Sequence, residues 1–185
     1  PYARAAALLL RVSNTSGPVG DLVGRTDYAF EAAPPHQVPT RHGPVPARFY
    51  RPAGSTRHTI LLVPGIHSMG IEEPRLKGLA ADLAATGYPV MTLALPDLMQ
   101  YRITPAATDV LEDAVSWMVA QPALAPDGRV GMAGVSFAGG LSTVAAGRAG
   151  IRDKVAFVLS FGGHGDLPRV MHYLTTGEET PVPGV

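Results

Sequence analysis

Between residues 58 and 175, short continuous apolar runs alternate with stretches whose apolar positions recur every three or four residues. Thr59-Ile60-Leu61-Leu62-Val63 is unbroken and closes on Pro64-Gly65, the pattern of a strand covered on both faces. Leu76, Leu79, Ala80, Leu83 and Ala84 make one apolar stripe and predict a helix. Glu72 and Glu73 stand at its positive end and Gly87 is placed as its C-cap. Val90 to Leu95 is a second buried run, ended by Pro96-Asp97. Thr104 as N-cap and Pro105 at the first helical position open a helix with the stripe Val110, Leu111, Ala114, Val115 and Met118. After a turn at Pro126-Asp127-Gly128, Arg129 to Val135 predicts a third strand and Phe137 to Arg148 a helix of small residues. Val155 to Phe161 predicts a fourth strand, and a last helix runs from about Leu167 to Leu174.

Upstream the grammar differs. Val45 to Tyr50 alternates in part and ends at the turn Arg51-Pro52-Ala53-Gly54, which predicts an early antiparallel strand. Residues 12–44 carry Pro34, Pro35, Pro39 and Pro44 and read as a loop-rich leader with few strong elements. Ala5 to Leu10 reads as a short surface helix. The division is therefore a leader over 1–43 and an α/β core over 44–185. Strand–helix alternation at this spacing means a mostly parallel sheet with helices on both faces, a three-layer α/β/α fold. In such sheets ligands bind beyond the carboxyl ends of the strands. The segments to inspect are thus 64–70, 96–102, 134–140 and 162–166.

Charge and composition narrow the function. Fifteen basic residues balance fifteen acidic ones, so no net field favours nucleic acid or an anionic membrane surface. No run approaches the ~20 apolar residues of a membrane span. The absence of cysteine excludes a disulfide framework, a thiolate zinc site and a Cys nucleophile, and fixes no compartment. His164 and Asp166 have the spacing of a metal pair, but no third ligand is visible, and the sequence calls for no metal and no cofactor.

The chemistry-bearing motif is Gly134-Val135-Ser136-Phe137-Ala138-Gly139-Gly140, set between a predicted strand and a predicted helix. A serine on so tight a turn needs small residues two before and two after it, and its hydroxyl then projects above the sheet edge. The following helix aims its first amides at the same spot, which favours developing negative charge. A phosphate-binding turn is the competing reading. The motif lacks both the Lys-Ser/Thr ending of a P-loop and a G-x-G-x-x-G pattern. Ser136 is therefore the candidate nucleophile. Acyl chemistry needs two oxyanion donors: the Phe137 amide supplies one, and the Ile66 amide, in the loop Pro64-Gly65-Ile66-His67-Ser68-Met69-Gly70, is the candidate for the other. His67 either lines the pocket, orders this loop, or is a partly buried polar residue without a role.

The element order, the Pro64-Gly65-Ile66 loop, Pro96-Asp97 and the Ser136 motif resemble the α/β-hydrolase superfamily over about residues 44–175. Within it the chain is most similar to the dienelactone-hydrolase-like and esterase-like branch. The resemblance implies hydrolysis of an ester or related acyl bond in a small-molecule acyl substrate, with Ser136 as nucleophile and Phe137 and Ile66 at the oxyanion. A dienelactone hydrolase proper uses a Cys nucleophile, which this chain lacks. The family order is serine, then acid, then His. Forty-nine residues follow Ser136, and two further strand–helix units need roughly 50–60. The expectation is a fragment whose acid and base lie beyond it, with a C-terminally incomplete sheet that exposes a strand edge.

Local residues could stand in. Asp166 follows the fourth strand. His164 sits at the correct sheet edge, but as base it needs its imidazole within about 3 Å of the Ser136 hydroxyl. Both are kept as possible pocket residues with His67. Asp97 reads as ordering a loop, His172 as surface or core, and Met69, Leu98, Met99 and Tyr101 as an apolar rim. His36, His42 and His58 are given no role. The alternative to a serine hydrolase is a non-catalytic α/β-hydrolase-like binding module that keeps the serine turn without a working triad.

Overall fold

The computed structural model describes residues 2–13, 17–24, 27–54 and 57–179. Strands β1 (Phe30–Ala32), β2 (His36–Val38), β3 (Val45–Pro52), β4 (Ile60–Val63), β5 (Val90–Leu93), β6 (Val130–Val135) and β7 (Val155–Phe161) form one sheet. Its order is β1-β3-β5-β4-β6-β7, with β2 also paired to β3. β3 runs antiparallel to β1, β2 and β5, whereas β5, β4, β6 and β7 are mutually parallel. The helices are α1 (Tyr2–Val12), α2 (Pro18–Gly24), α3 (Pro74–Ala85), α4 (Pro96–Met99), α5 (Pro105–Val119), α6 (Phe137–Ala146) and α7 (Leu167–Thr176). No helix of the described residues is long and apolar enough to cross a membrane.

Two apolar clusters account for the layers. Phe49, Leu61, Val63, Met91, Leu93, Val130 and Met132 point to one face of the sheet and pack with α5 and α6. Their neighbours Tyr50, Ile60, Leu62, Val90 and Ala133 point to the other face and pack with Leu76, Ala80 and Ala84 of α3. Alternate side chains of each central strand thus enter opposite clusters, which is why these strands read as unbroken apolar runs. Full burial of one such Leu or Met contributes roughly 1.5–3 kcal/mol. The predicted three-layer α/β/α fold with a mostly parallel sheet is the observed one.

The helix ends differ in how they are held. Glu73 caps α3: its carboxylate accepts the Leu76 N–H at 2.7 Å, and Pro74 occupies the first turn. Gly87 follows Thr86 with φ 91°, the conformation that stops this helix. Thr104 occupies the expected N-cap position of α5, but its side chain caps nothing. Its hydroxyl donates to the Asp97 carboxylate instead, so Asp97 ties the α4–α5 loop to the start of α5.

Four readings need correction. Residues 12–44 hold α2, β1 and β2 and supply two strands to the sheet, rather than an irregular leader. The segment after Val90 to Leu95, given no element, holds the four residues of α4, with Pro96 in its first turn. Leu98 is not a rim residue: α4 turns it inward and it is 1% exposed within the core. His42, assigned no role, lies 3.0 Å from the Asp109 carboxylate. It belongs to a network in which Arg41 binds Asp113 and Glu112, and Arg148 binds Asp109 and Glu112. This network clamps the 40–43 loop to α5.

At the far end of the sheet, β7 has a neighbour on one side only among the described residues. Phe157, Leu159 and Phe161 pair in register with Gly131, Ala133 and Val135 of β6, and so share the face that α3 covers farther along. They are 40%, 58% and 73% exposed. Met171, Tyr173 and Leu174 of α7 are exposed as well.

Candidate active site

β6 ends at Val135, and α6 begins at Phe137, which leaves Ser136 alone at the bend. Its backbone stands at φ 56°, ψ −134°, a conformation that costs a non-glycine residue of order 1–3 kcal/mol. The bend is over-determined by its surroundings. The Ser136 N–H donates to the Phe161 carbonyl at 2.7 Å, and the Ser136 carbonyl accepts the Gly139 N–H at 2.8 Å. Gly134 must lack a side chain, because a Cβ there would collide with the Ala138 carbonyl. Gly65 is tightly placed as well: a Cβ would come within 3.2 Å of Ser136 Cβ and of the Val135 carbonyl, close enough that a neighbour would have to give way. The loop after β4 and the turn after β6 are therefore in close contact. Neighbouring positions on parallel strands bring them together, since Val63 and Gly134 are register partners.

A half-open cleft of about 410 Å³ lies at this junction, walled by Pro64, Gly65, Ile66, His67, Glu73, Arg75, Leu76, Leu79, Val135 and Ser136. Among the described residues no side chain hydrogen-bonds the Ser136 hydroxyl, and the Ile66 N–H has no acceptor. The Phe137 amide is the first of α6, one of the four that a helix leaves without an internal acceptor. Two donors of unspent capacity thus flank the serine.

The charged wall of the cleft was not foreseen. Glu73 is 9% exposed, and its two carboxylate oxygens accept from Arg75 Nε and the Leu76 N–H, each at 2.7 Å. Burial pushes the Glu73 carboxyl up, but the Arg75 guanidinium and the backbone amides outweigh it and hold its pKa below the ordinary value. The legible signal was Glu73-Pro74 before a helical stripe, which marks a cap. Its place beside Ser136 depends on how α3 packs across the sheet, against β3 and β5 and into the cluster shared with Leu62 and Ala133.

The three possible pocket residues separate. His67 lines the Ser136 cleft. His164 and Asp166 line a second, more open cleft of about 640 Å³ with Phe137, Arg169, Val170, Tyr173 and Leu174. The His164 ring stands edge-on to Phe137, centroids 5.4 Å apart. Asp166 caps α7, accepting the Arg169 N–H at 3.1 Å. Of the expected rim, Met69 and Tyr101 are exposed, and the apolar wall of the Ser136 cleft is Ile66, Leu76, Leu79 and Val135. Among the described residues no group of three or more His, Asp or Glu is placed to hold a metal ion.

No protein-family model matches the chain, and no curated protein matches it by sequence. Solved structures do match. A dienelactone hydrolase from Anabaena variabilis superposes with a TM-score of 0.63 at 23% identity, over 76% of this chain and 67% of that one. Brefeldin A esterase, described as a bacterial homologue of human hormone-sensitive lipase, gives 0.59 at 20% identity, over 92% and 54%. An esterase from Pyrobaculum calidifontis gives 0.54 at 22%, over 82% and 46%. The chain spans about half to two thirds of the length of these structures. At such identities the likeness is one of architecture: the chain has the α/β-hydrolase fold.

Proposed function

We propose that this chain carries the nucleophile and oxyanion site of a serine hydrolase that cleaves an ester or related acyl bond in a small-molecule substrate. The observation that carries this reading is the strained, buttressed bend at Ser136 with unspent amide donors beside it. Strain of that kind persists only where its surroundings over-determine it, and it concentrates at functional sites. That the solved structures named above include esterases and a dienelactone hydrolase supports the same reading.

In the proposed reaction the Ser136 hydroxyl gives up its proton and Oγ bonds to the substrate carbonyl carbon. The carbonyl electrons move to oxygen, which the Phe137 and Ile66 amides stabilise. Collapse breaks the acyl–oxygen bond, and the leaving alkoxide takes a proton. Water then repeats the attack, and its O–H supplies the proton that restores the serine. The base and its acid are assigned to no described residue. The cleft's apolar wall of Ile66, Leu76, Leu79 and Val135 is the proposed seat of the acyl chain.

The test is labelling of the intact protein with a fluorophosphonate. An Oγ–P bond forms, the P–F bond breaks, fluoride leaves, and the hydroxyl proton passes to base. The expected result is one adduct, on Ser136, lost in Ser136→Ala. An unlabelled protein, or labelling that survives Ser136→Ala, overturns the proposal. The first outcome favours the alternative of a non-catalytic binding module, for which the unengaged Ser136 hydroxyl is the supporting observation.

A further inference from the structure

Among the described residues His67 is the one imidazole that shares the cleft with Ser136, and in a serine hydrolase such a residue invites assignment as the general base. Its hydrogen bonding argues otherwise. The Met69 N–H donates to His67 Nδ1 at 3.2 Å. An amide donor at Nδ1 requires a lone pair there, and in a neutral imidazole the proton then sits on Nε2. A base that takes the serine proton needs the opposite arrangement at Nε2. It also needs a partner that holds a proton on Nδ1, as the carboxylate does in a triad. The carboxylate within the cleft, Glu73, is committed on both oxygens to Arg75 and Leu76. His67 therefore has neither the free lone pair nor the orienting acid of a base.

What it has is a donor. The ring is pinned through Nδ1 to its own loop, and Nε2, on the far edge of the ring, has no partner among the described residues. The loop that pins it also carries the Ile66 amide, one residue away. Gly65 keeps that loop against Ser136, where a Cβ would meet Ser136 Cβ at 3.2 Å. We infer that His67, held as the neutral Nε2–H tautomer by the Met69 amide, donates a hydrogen bond to the oxygen that becomes negative when Ser136 attacks. This rests on the serine-hydrolase reading above. It makes the loop after β4 a source of two donors, the Ile66 amide and the His67 side chain.

Two isosteres separate the donor from the loop brace. Asn places an amide oxygen near the Nδ1 position, so His67→Asn keeps an acceptor for Met69 and loses the donor. Gln places an amide NH₂ near the Nε2 position, so His67→Gln keeps the donor and loses the brace. The readout is the rate of fluorophosphonate labelling at Ser136, with the melting temperature recorded for each protein. His67→Asn is expected to label on the order of 10²-fold more slowly at an unchanged melting temperature, the loss typical of one oxyanion donor. His67→Gln is expected to retain most of the rate. In the wild-type adduct, the His67 Nε2–H proton is expected to shift downfield in the NMR spectrum as it bonds the phosphonyl oxygen. A wild-type rate in His67→Asn, or no movement of that resonance, overturns the inference while leaving Ser136 as the nucleophile. Absence of any wild-type adduct instead overturns the reading on which it rests.

Discussion

The two edges of the sheet are finished in opposite ways. At one edge β1 and β2 are three residues each, bracketed by Pro34, Pro35 and Pro39, and the adjoining 40–43 loop is clamped to α5 by Arg41 and His42. Short strands, prolines and charges are the usual means of blunting a strand edge. At the other edge β7 is seven residues, Val-Ala-Phe-Val-Leu-Ser-Phe, with no charge and no proline. The first edge buries Val38 completely, and the second leaves Leu159 58% exposed. The candidate site lies next to the open edge, because β6 carries Ser136 and the last residue of β7 accepts its N–H. The Ser136 bend thus leans on a strand that, among the described residues, is paired on one side only and carries exposed apolar side chains.

The largest expected effect sharpens that contrast within two neighbouring strands. Met132 of β6 is fully buried, so Met132→Ala should cost about 2–5 kcal/mol in urea unfolding. Leu159 sits on the adjacent strand, and Leu159→Ala should change stability by no more than about 0.5 kcal/mol. Equal losses would mean that β7 is covered in solution, and the contrast would fail. Val38→Ala at the blunted edge should fall between them, at about 1.5–3 kcal/mol.

What could be read in advance follows the same division. β7 was legible to the residue, and α5 and α6 nearly so, because continuous runs and helical stripes are local patterns. β1 and β2 were not: three residues among prolines carry no periodicity, and they are strands only because β3 offers them a partner. At the candidate site, the chemical roles of Ser136, Phe137 and Ile66 belong to the proposal, while the bend at Ser136 before Phe137 was legible because a strand–turn–helix motif encodes its own geometry. Glu73 and Arg75 were not, since their place beside Ser136 arises from α3 crossing the sheet, which no local pattern records. The tautomer of His67 depends on one amide two residues away and needs coordinates to be seen.

A smaller effect on stability, with a visible effect on association, is expected from a charge at the open edge. Leu159→Lys places an ammonium among Phe157 and Phe161 on the uncovered face. Folding stability should move by no more than about 0.5 kcal/mol, while the monomer fraction in sedimentation at high concentration should rise. The matching change at the blunted edge, Glu31→Lys, should leave the monomer fraction where it was, since Glu31 already places a charge on an exposed three-residue strand. If Leu159→Lys leaves association unaltered, the apolar edge is not what brings copies together.

The smallest effect concerns how the blunted edge is held. Hydrogen bonds from His42 and then Arg148, with the nearby charges of Arg148 and Arg41, lower the Asp109 pKa from 3.8 to about 2. A carboxyl whose folded pKa lies below its unfolded value adds stability at every pH above the unfolded value. That contribution is whole above about pH 5 and drains away as the pH falls from about 4 through 2. Asp109→Asn should therefore lower the melting temperature at pH 7, and the gap between variant and wild type should close on acidification to pH 2. Because the Asp109 side chain stays 24% exposed, raising the ionic strength should narrow the gap at pH 7 as well. No comparable acid sensitivity is expected from β7, whose seven residues carry no ionisable group. Hydrogen exchange followed across the titration should accordingly show protection lost first at the 40–43 loop and β2. Loss that began at β7 instead would mean that the clamp does not govern the blunted edge.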